Sequence, residues 1–218
     1  MLALLHTSPV HIPVFDALRD QDHPDLELGH FVRQELLDRA RADSPEAVED
    51  DVRALLVDAV AQGAAAVLCT CSTIGGVAEA QAGAVGVPVL RVDRPMAAAA
   101  VAIGPRIAVL ATSESTLGPT VALVEEEARR AGRPADVRAR VVEGAWERFQ
   151  SGDREGYAAS VADAVDAVRD ADVVVLAQAS MAPAADRAET RLPVLSSPRP
   201  GLRAAALQWG DSARGERS

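Results

Sequence analysis

The chain has 218 residues, of which 49% are hydrophobic and 25% are charged, so it is long enough to bury the core of one domain or two smaller lobes. All 22 basic residues are arginine, and the lack of lysine excludes pyridoxal-phosphate enzymes and P-loop NTPases, which both need that amine. A formal net charge of -10, with 3% aromatic residues, argues against nucleic-acid binding.

Six short apolar runs bounded by turn residues alternate with longer helical patterns, and this alternation predicts an α/β fold with parallel sheets. In chain order the runs are Leu2 to Leu5, Ala64 to Leu68, Val87 to Leu90, Ile107 to Leu110, Val173 to Leu176 and Leu192 to Leu195. Apolar spacing also predicts a helix over 45–62, with Ser44 as its cap, and a second helix over 154–168.

The second half of the chain repeats the first. Leu5-His6-Thr7-Ser8 matches Leu110-Ala111-Thr112-Ser113, and Val87-Pro88-Val89-Leu90 matches Leu192-Pro193-Val194-Leu195, both at an offset of 105 residues. Between these anchors, Val67 to Thr73 aligns with Val175 to Met181 at an offset of 108. The repeat predicts two pseudo-symmetric, flavodoxin-like lobes.

We expect the first lobe to cover residues 1–95 and the second to cover residues 96–195. The segment 196–209 is expected to pack back on the first lobe, and residues 210–218 to form a flexible tail. Because ligands of such folds bind outside the carboxyl ends of the strands, the active site is predicted in the cleft between the lobes.

Small polar residues follow four of the predicted strands. Their hydroxyl and backbone N–H groups suit the binding of a carboxylate, although each residue taken alone is also an ordinary helix cap. The substrate-binding candidates are Thr7, Ser8, Ser72, Thr73, Thr112, Ser113, Thr116, Gln178, Ala179 and Ser180.

The two cysteines, Cys69 and Cys71, are too close together for an ordinary disulfide and too few for a structural zinc site. Cys71 falls at a predicted helix N-terminus, where the helix dipole and free N–H groups favour the reactive thiolate. The alternative is that both are small buried residues. Because side chains alternate between the two faces of a strand, Cys69 is expected to point away from the predicted site, so it is the weaker catalytic candidate.

Cys71-Ser72-Thr73 after an apolar strand, Ala111-Thr112 with Thr116 after the midpoint strand, and the duplicated layout together resemble the aspartate/glutamate racemase superfamily. That superfamily includes hydantoin racemases, maleate isomerases and arylmalonate decarboxylase, and the resemblance extends from Leu2 to about Gln208. It implies cofactor-independent isomerase chemistry at the carbon next to the carboxylate of a small acid or amino acid. It also implies a homodimer and two opposed catalytic cysteines, one from each lobe.

The second cysteine of that pair is missing from this sequence. The family pattern places it at Gln178 and the internal repeat places it at Ala179, and neither side chain can act as a thiolate base. With Cys71 as the acid–base group, the chain is an atypical isomerase or a one-cysteine decarboxylase or lyase. His6 is a possible second base, and a protein that only binds a small carboxylate is the third alternative.

No motif indicates a metal or a nucleotide cofactor, so we expect the protein to need neither. No run of 18 apolar residues and no signal peptide is present, which predicts a cytoplasmic protein that does not bind membranes. Trp146 and Phe149 either form a lid over the predicted cleft or pack a helix against the second lobe.

Overall fold

The computed structural model describes the backbone of residues 1–215 and the side chains of residues 1–210. The chain divides into two compact units. Unit one contains Met1–Val92 and the C-terminal segment that begins at Pro198, and unit two contains Asp93–Ser197.

Unit one is built on a four-stranded sheet with the strand order β2-β1-β3-β4, and every pair of neighbouring strands is parallel. The strands are β1 (Leu2–His6), β2 (Leu28–Val32), β3 (Ala66–Cys69) and β4 (Val89–Arg91). The helices are α1 (Ile12–Asp22), α2 (Gln34–Ala42), α3 (Glu49–Ala61), α4 (Ser72–Ala80), α5 (Ala82–Val85) and α10 (Pro198–Gly215), with 3-10 turns at Pro9–His11 and Pro45–Val48.

The two central strands of unit one are apolar along their whole length because helices cover both faces of the sheet. Leu2, Leu4 and Leu68 point to one face, where Phe15 of α1 and Leu202 of α10 pack against them. Alternate residues of the same strands point to the opposite face and pack against α2, α3 and α4.

Unit two has a sheet of the same form, with the strand order β6-β5-β7-β8 and parallel pairing throughout. Its strands are β5 (Arg106–Ala111), β6 (Asp136–Val141), β7 (Val173–Leu176) and β8 (Val194–Ser196). Its helices are α6 (Arg94–Ile103), α7 (Glu114–Ala131), α8 (Ala145–Ser151) and α9 (Arg154–Asp166), with a 3-10 helix at Ala179–Ala184.

The strand pairing corrects one part of the predicted repeat. Leu2 pairs with Ala66 in unit one, and Ile107, which corresponds to Leu2 at the offset of 105, pairs with Val173 in unit two. The offset for β3 and β7 is therefore 107 (173 minus 66), not 108, and Cys71 corresponds to Gln178. The apolar residues of these strands align almost equally well at neighbouring offsets, whereas the hydrogen-bond ladder permits only one.

The helix that follows the last strand of each half lies in the other unit. By sequence, α6 follows β4 of unit one, but it packs on α7 and β7 in unit two. In the same way α10 follows β8 of unit two and packs on α1, β1 and β3 in unit one.

Two strands were not predicted, and both lie at sheet edges. β2 is half-buried along its length. In β6 the two valines are half-buried, and the other four residues, three of them charged, are exposed. Charged residues are typical of edge strands, because they discourage pairing with another chain, but they weaken the apolar pattern that identifies a strand.

The ends of two helices also differ from expectation. The predicted helix over 45–62 is a 3-10 turn followed by α3, and the Ser44 side chain makes no capping bond. Residues 210–215, predicted as part of a flexible tail, continue α10, since extending an existing helix needs no new nucleus. The rest of that predicted tail, 216–218, lies outside the described residues.

Over residues 1–215, each helix is too short or too polar to span a lipid bilayer.

Candidate active site

Cys71 is the N-cap residue of α4, directly beyond the carboxyl end of β3. Its backbone is extended, with φ -103° and ψ 115°, and its half-buried thiol belongs to no disulfide. The first turn of α4 holds the buried Ser72 and Thr73. The thiol therefore stands at the amino end of α4, which is the positive end of the helix dipole.

Cys69 is in a different environment, although it is only two residues away. It is the last residue of β3, it is fully buried in the apolar layer under α3 and α4, and its thiol donates to the carbonyl of Cys71 at 3.6 Å. This burial favours a packing role for Cys69.

Gln178 occupies in unit two the position that Cys71 occupies in unit one, since it is the N-cap residue of the 3-10 helix that follows β7. Its Oε1 atom accepts hydrogen bonds from the backbone N–H of Thr112 at 2.6 Å and from the Thr112 hydroxyl at 3.0 Å. Because a backbone N–H can only donate, the amide oxygen must face Thr112, and the NH2 group of Gln178 is directed away from it.

Tyr157 extends this network and was not singled out by the sequence. Its hydroxyl lies 2.8 Å from the hydroxyl of Ser180 and 3.5 Å from that of Thr112. Burial raises the pKa of Tyr157 and outweighs the opposing effect of these two hydrogen bonds, so the phenol is neutral. The signal available in the sequence was that Tyr157 is the only tyrosine of the chain.

The hydroxyl groups that were predicted to bind a carboxylate lie in both units. In unit one, Thr7 is buried after β1, and Ser8 is the half-buried N-cap of the turn that follows. In unit two, Ser113 is the N-cap of α7 and pairs with the Ser115 hydroxyl at 2.9 Å, and Thr116 is buried in the first turn. Neither N-cap side chain makes a capping hydrogen bond, so capping does not account for these two hydroxyls.

Ala179 can offer only its backbone to carboxylate binding. It is buried directly after Gln178 and carries no polar side-chain atom. Its backbone begins the 3-10 helix.

His6 is fully buried at the end of β1. Its Nδ1 atom lies 2.8 Å from Oγ1 of Thr70 and its Nε2 atom lies 2.9 Å from Nδ1 of His30. Burial lowers the pKa of His6 to about 3, with further contributions from His30 and His11, so the ring is neutral at physiological pH. A ring with no exposed surface does not touch a ligand directly.

Arg91 is a second residue that sequence reasoning missed. It ends β4 beside Cys69 in the sheet, and it is the only buried arginine among residues 1–210. A Cβ atom at Gly75 of α4 would lie 3.0 Å from Cβ of Arg91, and one at Gly76 would lie 3.3 Å from a guanidinium nitrogen. The Gly75-Gly76 pair therefore leaves room for a buried positive charge against the helix that follows Cys71.

The aromatic residues of α8 pack against α9. Trp146 stacks on Phe149 with ring centroids 5.2 Å apart, and Phe149 lies 5.2 Å from the ring of Tyr157. Arg154 covers Phe149 at 4.1 Å from the ring centroid. Of the two alternatives from the sequence, these contacts favour packing within unit two.

A cavity of about 200 Å³ in unit two is lined by none of the candidate residues described above. Its walls are residues along β5 and β6, from Arg106 and Asp136 to Leu110 and Arg140, and the loop 167–171. Ligands of parallel α/β sheets bind at the carboxyl ends of the strands. The candidate residues are therefore those that follow the strands of each unit, with Cys71 in unit one and Gln178 in unit two.

The model of the Asp/Glu/hydantoin racemase family matches residues 12–205. The chain belongs to this family. No curated protein sequence is similar enough to the chain to count as a relative.

Solved structures with the same fold include members with different activities. A glutamate racemase from Bacillus anthracis matches with a TM-score of 0.67 and 14% identity, covering 95% of this chain and 80% of that chain. The aspartate racemase of Picrophilus torridus has a TM-score of 0.65 and 14% identity, with 96% and 94% covered. A mutant arylmalonate decarboxylase in a sulfate-associated form has a TM-score of 0.63 and 18% identity, with 96% and 93% covered.

Racemases and a decarboxylase thus share the fold of this Asp/Glu/hydantoin racemase family member. Sequence identities of 14% to 18% establish a shared fold. They do not establish which reaction this chain catalyses, so that question depends on the residues of the site. Among the side chains of residues 1–210, no group of three or more histidine, cysteine, aspartate or glutamate residues is arranged to hold a metal ion.

Proposed function

We propose that the protein is a cofactor-independent enzyme that moves a proton at the carbon next to the carboxylate of a small acid or amino acid, with Cys71 as its acid–base group. The observation that carries the proposal is the position of Cys71, a half-buried thiol at the N-cap of α4 beyond a central strand. Membership of the racemase family supports it.

The substrate carboxylate is proposed to bind to N–H and hydroxyl groups beyond the strand ends. In unit two the NH2 group of Gln178 and the hydroxyl of Ser180 are the donors, both held by hydrogen bonds to neighbours. The remaining members of this proposed set are Thr7, Ser8, Ser72, Thr73, Thr112, Ser113, Thr116 and Ala179.

The proposed reaction begins when the Cys71 thiolate removes the α-proton of the substrate. The electron pair left on carbon delocalises into the carboxylate, and the neutral thiol then returns a proton to the same face. Gln178 does not titrate, so no equivalent acid stands at its position to protonate the opposite face. We therefore expect α-proton exchange with solvent to be faster than inversion of the carbon.

Decarboxylation or a related lyase reaction is the second candidate, and the amide at Gln178 is the observation that favours it. In decarboxylation the bond between the α-carbon and a carboxylate breaks, carbon dioxide leaves, and the electron pair remains on carbon. Protonation by the Cys71 thiol then completes the reaction, and one cysteine is sufficient.

Proton NMR in deuterated water tests these alternatives with a panel of small mono- and dicarboxylic acids, including amino acids and malonates. We expect the wild-type protein and the control Cys69→Ala to exchange the α-proton or release carbon dioxide. Cys71→Ala should lose at least two orders of magnitude in rate, as expected when an acid–base group is removed.

Equal rates for wild type and Cys71→Ala would contradict the role of Cys71. If an acid that binds, as measured by calorimetry, undergoes neither reaction, the protein is a carboxylate-binding protein instead. Sedimentation of the same samples tests the proposed homodimer.

A further inference from the structure

Four side chains of unit one form a continuous line of hydrogen bonds from the surface to the end of the central strands. Asp16 Oδ1 lies 3.1 Å from His30 Nε2, His30 Nδ1 lies 2.9 Å from His6 Nε2, and His6 Nδ1 lies 2.8 Å from Thr70 Oγ1. The side chain of Asp16 is 40% exposed and that of His30 is 17% exposed, whereas His6 and Thr70 are buried.

One arrangement of hydrogens uses only neutral rings. The carboxylate of Asp16 can only accept, so Nε2 of His30 carries a hydrogen and donates it. Nδ1 of His30 is then bare and accepts from Nε2 of His6, whose own Nδ1 is bare and accepts from the Thr70 hydroxyl. Every hydrogen bond of the line then points toward Asp16.

A second arrangement is equally complete and holds one more proton. When His30 carries a hydrogen on both nitrogens, its Nδ1 donates to Nε2 of His6, and Nδ1 of His6 donates to Thr70. The Thr70 hydroxyl then turns to the carbonyl of Leu5, which lies 3.1 Å away and also accepts the Thr70 backbone N–H at 2.9 Å. Every acceptor in the line is satisfied in both arrangements.

His6 is neutral in both arrangements, and only its tautomer changes. This agrees with its complete burial, which strongly disfavours a charged ring. The added charge resides on His30, next to the carboxylate of Asp16.

The surroundings of the line supply few other charges. Arg19 lies 3.9 Å from Asp16, and the ring of His11 lies 6.3 Å from that of His6. On α10, Arg199 and Arg203 are both bound to Asp22 of α1.

We propose that Asp16, His30, His6 and Thr70 form a proton relay, in which His30 takes up one proton and reversal of the hydrogen bonds reorients the Thr70 hydroxyl. The added proton comes from solvent: it completes the Thr70 hydroxyl as the hydrogen already on Oγ1 moves to Nδ1 of His6. The Nε2 hydrogen of His6 then moves to Nδ1 of His30, so the number of protons is conserved at each step.

Thr70 directly precedes Cys71, so the relay connects solvent at Asp16 with the segment that carries the thiol. Its four members are positioning residues, since His6 and Thr70 are buried and act through one another. This catalytic role rests on the proposed function, whereas the movement of the proton within the relay can be measured without any substrate.

The relay is tested by nitrogen-15 NMR of histidine side chains, recorded on the full chain between about pH 8 and pH 5. As His30 gains its second hydrogen, His6 should change from the Nε2–H to the Nδ1–H tautomer and stay neutral. In Asp16→Asn the change should need a lower pH, because the carboxylate that accepts from Nε2 of His30 is lost. The control Asp25→Asn removes an equal charge from the exposed loop between α1 and β2, away from the ion pairs of Arg19, and should leave the change where it is in the wild type.

Two variants at Thr70 test the link to catalysis. Thr70→Ser keeps the hydroxyl and should reproduce the wild-type pH profile of α-proton exchange, whereas Thr70→Val should abolish the part of the profile that follows the His6 tautomer.

The relay is wrong if His6 keeps one tautomer across this pH range or becomes charged together with His30. Identical pH profiles for Thr70→Val and wild type would overturn its role in catalysis. A tautomer change in a protein that exchanges no α-proton would support the relay and refute the proposed function, so the two failures are distinguishable.

Discussion

At the scale of single residues, Gln178 separates this chain from a two-cysteine racemase. Its amide oxygen is held by both donors of Thr112, and the strand register makes it the counterpart of Cys71. The position is therefore well ordered, although its side chain transfers no proton. A thiol placed there would supply the missing second acid–base group.

The first prediction concerns Gln178→Cys. For an acid whose α-proton the wild-type protein exchanges, this variant should raise the rate of inversion at least tenfold, because each face of the carbon then has a thiol. Chiral chromatography of the product measures the rate. The control Gln178→Ser is similar in size to Gln178→Cys but has no titrating group, so it should not raise inversion above the wild-type rate. An equal gain in both variants would disprove the explanation.

The second prediction concerns His6 and the dependence of stability on pH. Its pKa falls from 6.5 in the unfolded chain to about 3 in the folded protein, so between these values the unfolded chain binds more protons. The stabilising contribution is complete above about pH 6.5 and is lost as the pH falls. Between about pH 7.5 and pH 5 the free energy of unfolding should drop by about 2 kcal/mol from this group.

Urea unfolding at several pH values checks this dependence. His6→Gln cannot take up a proton, so its stability should fall by about 2 kcal/mol less than that of the wild type over the same range. Parallel stability curves for the two proteins would show that His6 does not titrate as inferred.

At the scale of secondary-structure elements, α10 depends on one close backbone contact. A Cβ atom at Gly201 would lie 2.4 Å from the carbonyl oxygen of Val92 and 2.6 Å from its Cγ2 atom. Next to Gly201, Leu202 is buried against the sheet of unit one. Glycine is thus required because the helix lies directly on the end of β4.

The third prediction compares two helical glycines. Gly201→Ala should destabilise the protein by about 1 to 3 kcal/mol, since the added methyl group forces the helix away from backbone atoms that cannot move aside. Gly83→Ala in α5 adds a methyl group with nothing within 4 Å, and it should stabilise by about 0.5 to 1 kcal/mol. Thermal unfolding of both variants measures the changes, and similar shifts would refute the contact.

At the scale of the whole molecule, the exchange of α6 and α10 makes each compact unit depend on both halves of the sequence. In unit one, Asp22 of α1 binds Arg199 and Arg203 of α10 across about 180 residues of chain. Partial burial alone raises the pKa of Asp22, but the hydrogen bonds and charges of the two arginines outweigh it and hold that pKa below its ordinary value. Acid that protonates Asp22 therefore loosens the attachment of α10.

The fourth prediction follows from that exchange. A chain that ends at Ser197 lacks α10 and exposes the face of the sheet that carries Leu2, Leu4 and Leu68. We expect its free energy of unfolding to fall by at least about 5 kcal/mol, which is comparable to the stability of a typical domain. Urea unfolding and limited proteolysis measure the loss.

Strong local patterns in the sequence were sufficient to predict the central strands and α9. Continuous apolar runs predicted β1, β3, β5 and β7, since a strand buried on both faces permits little else. The edge strands β2 and β6 have weak patterns because half-buried positions tolerate polar residues. Cys71 could be recognised from the sequence because it directly follows a predicted strand. Tyr157 could not, because the residues that it contacts come from distant segments of the chain.

The sequence by itself determined the α/β class, the duplicated order of elements and the family, because these depend on the local pattern of apolar residues and on short motifs. Only the tertiary structure decided that Gln178, not Ala179, corresponds to Cys71, since strand register is set by hydrogen bonds between distant segments. It likewise joined His6, His30 and Asp16 into one line, because residues far apart in sequence meet only when neighbouring strands pair and a helix packs beside them.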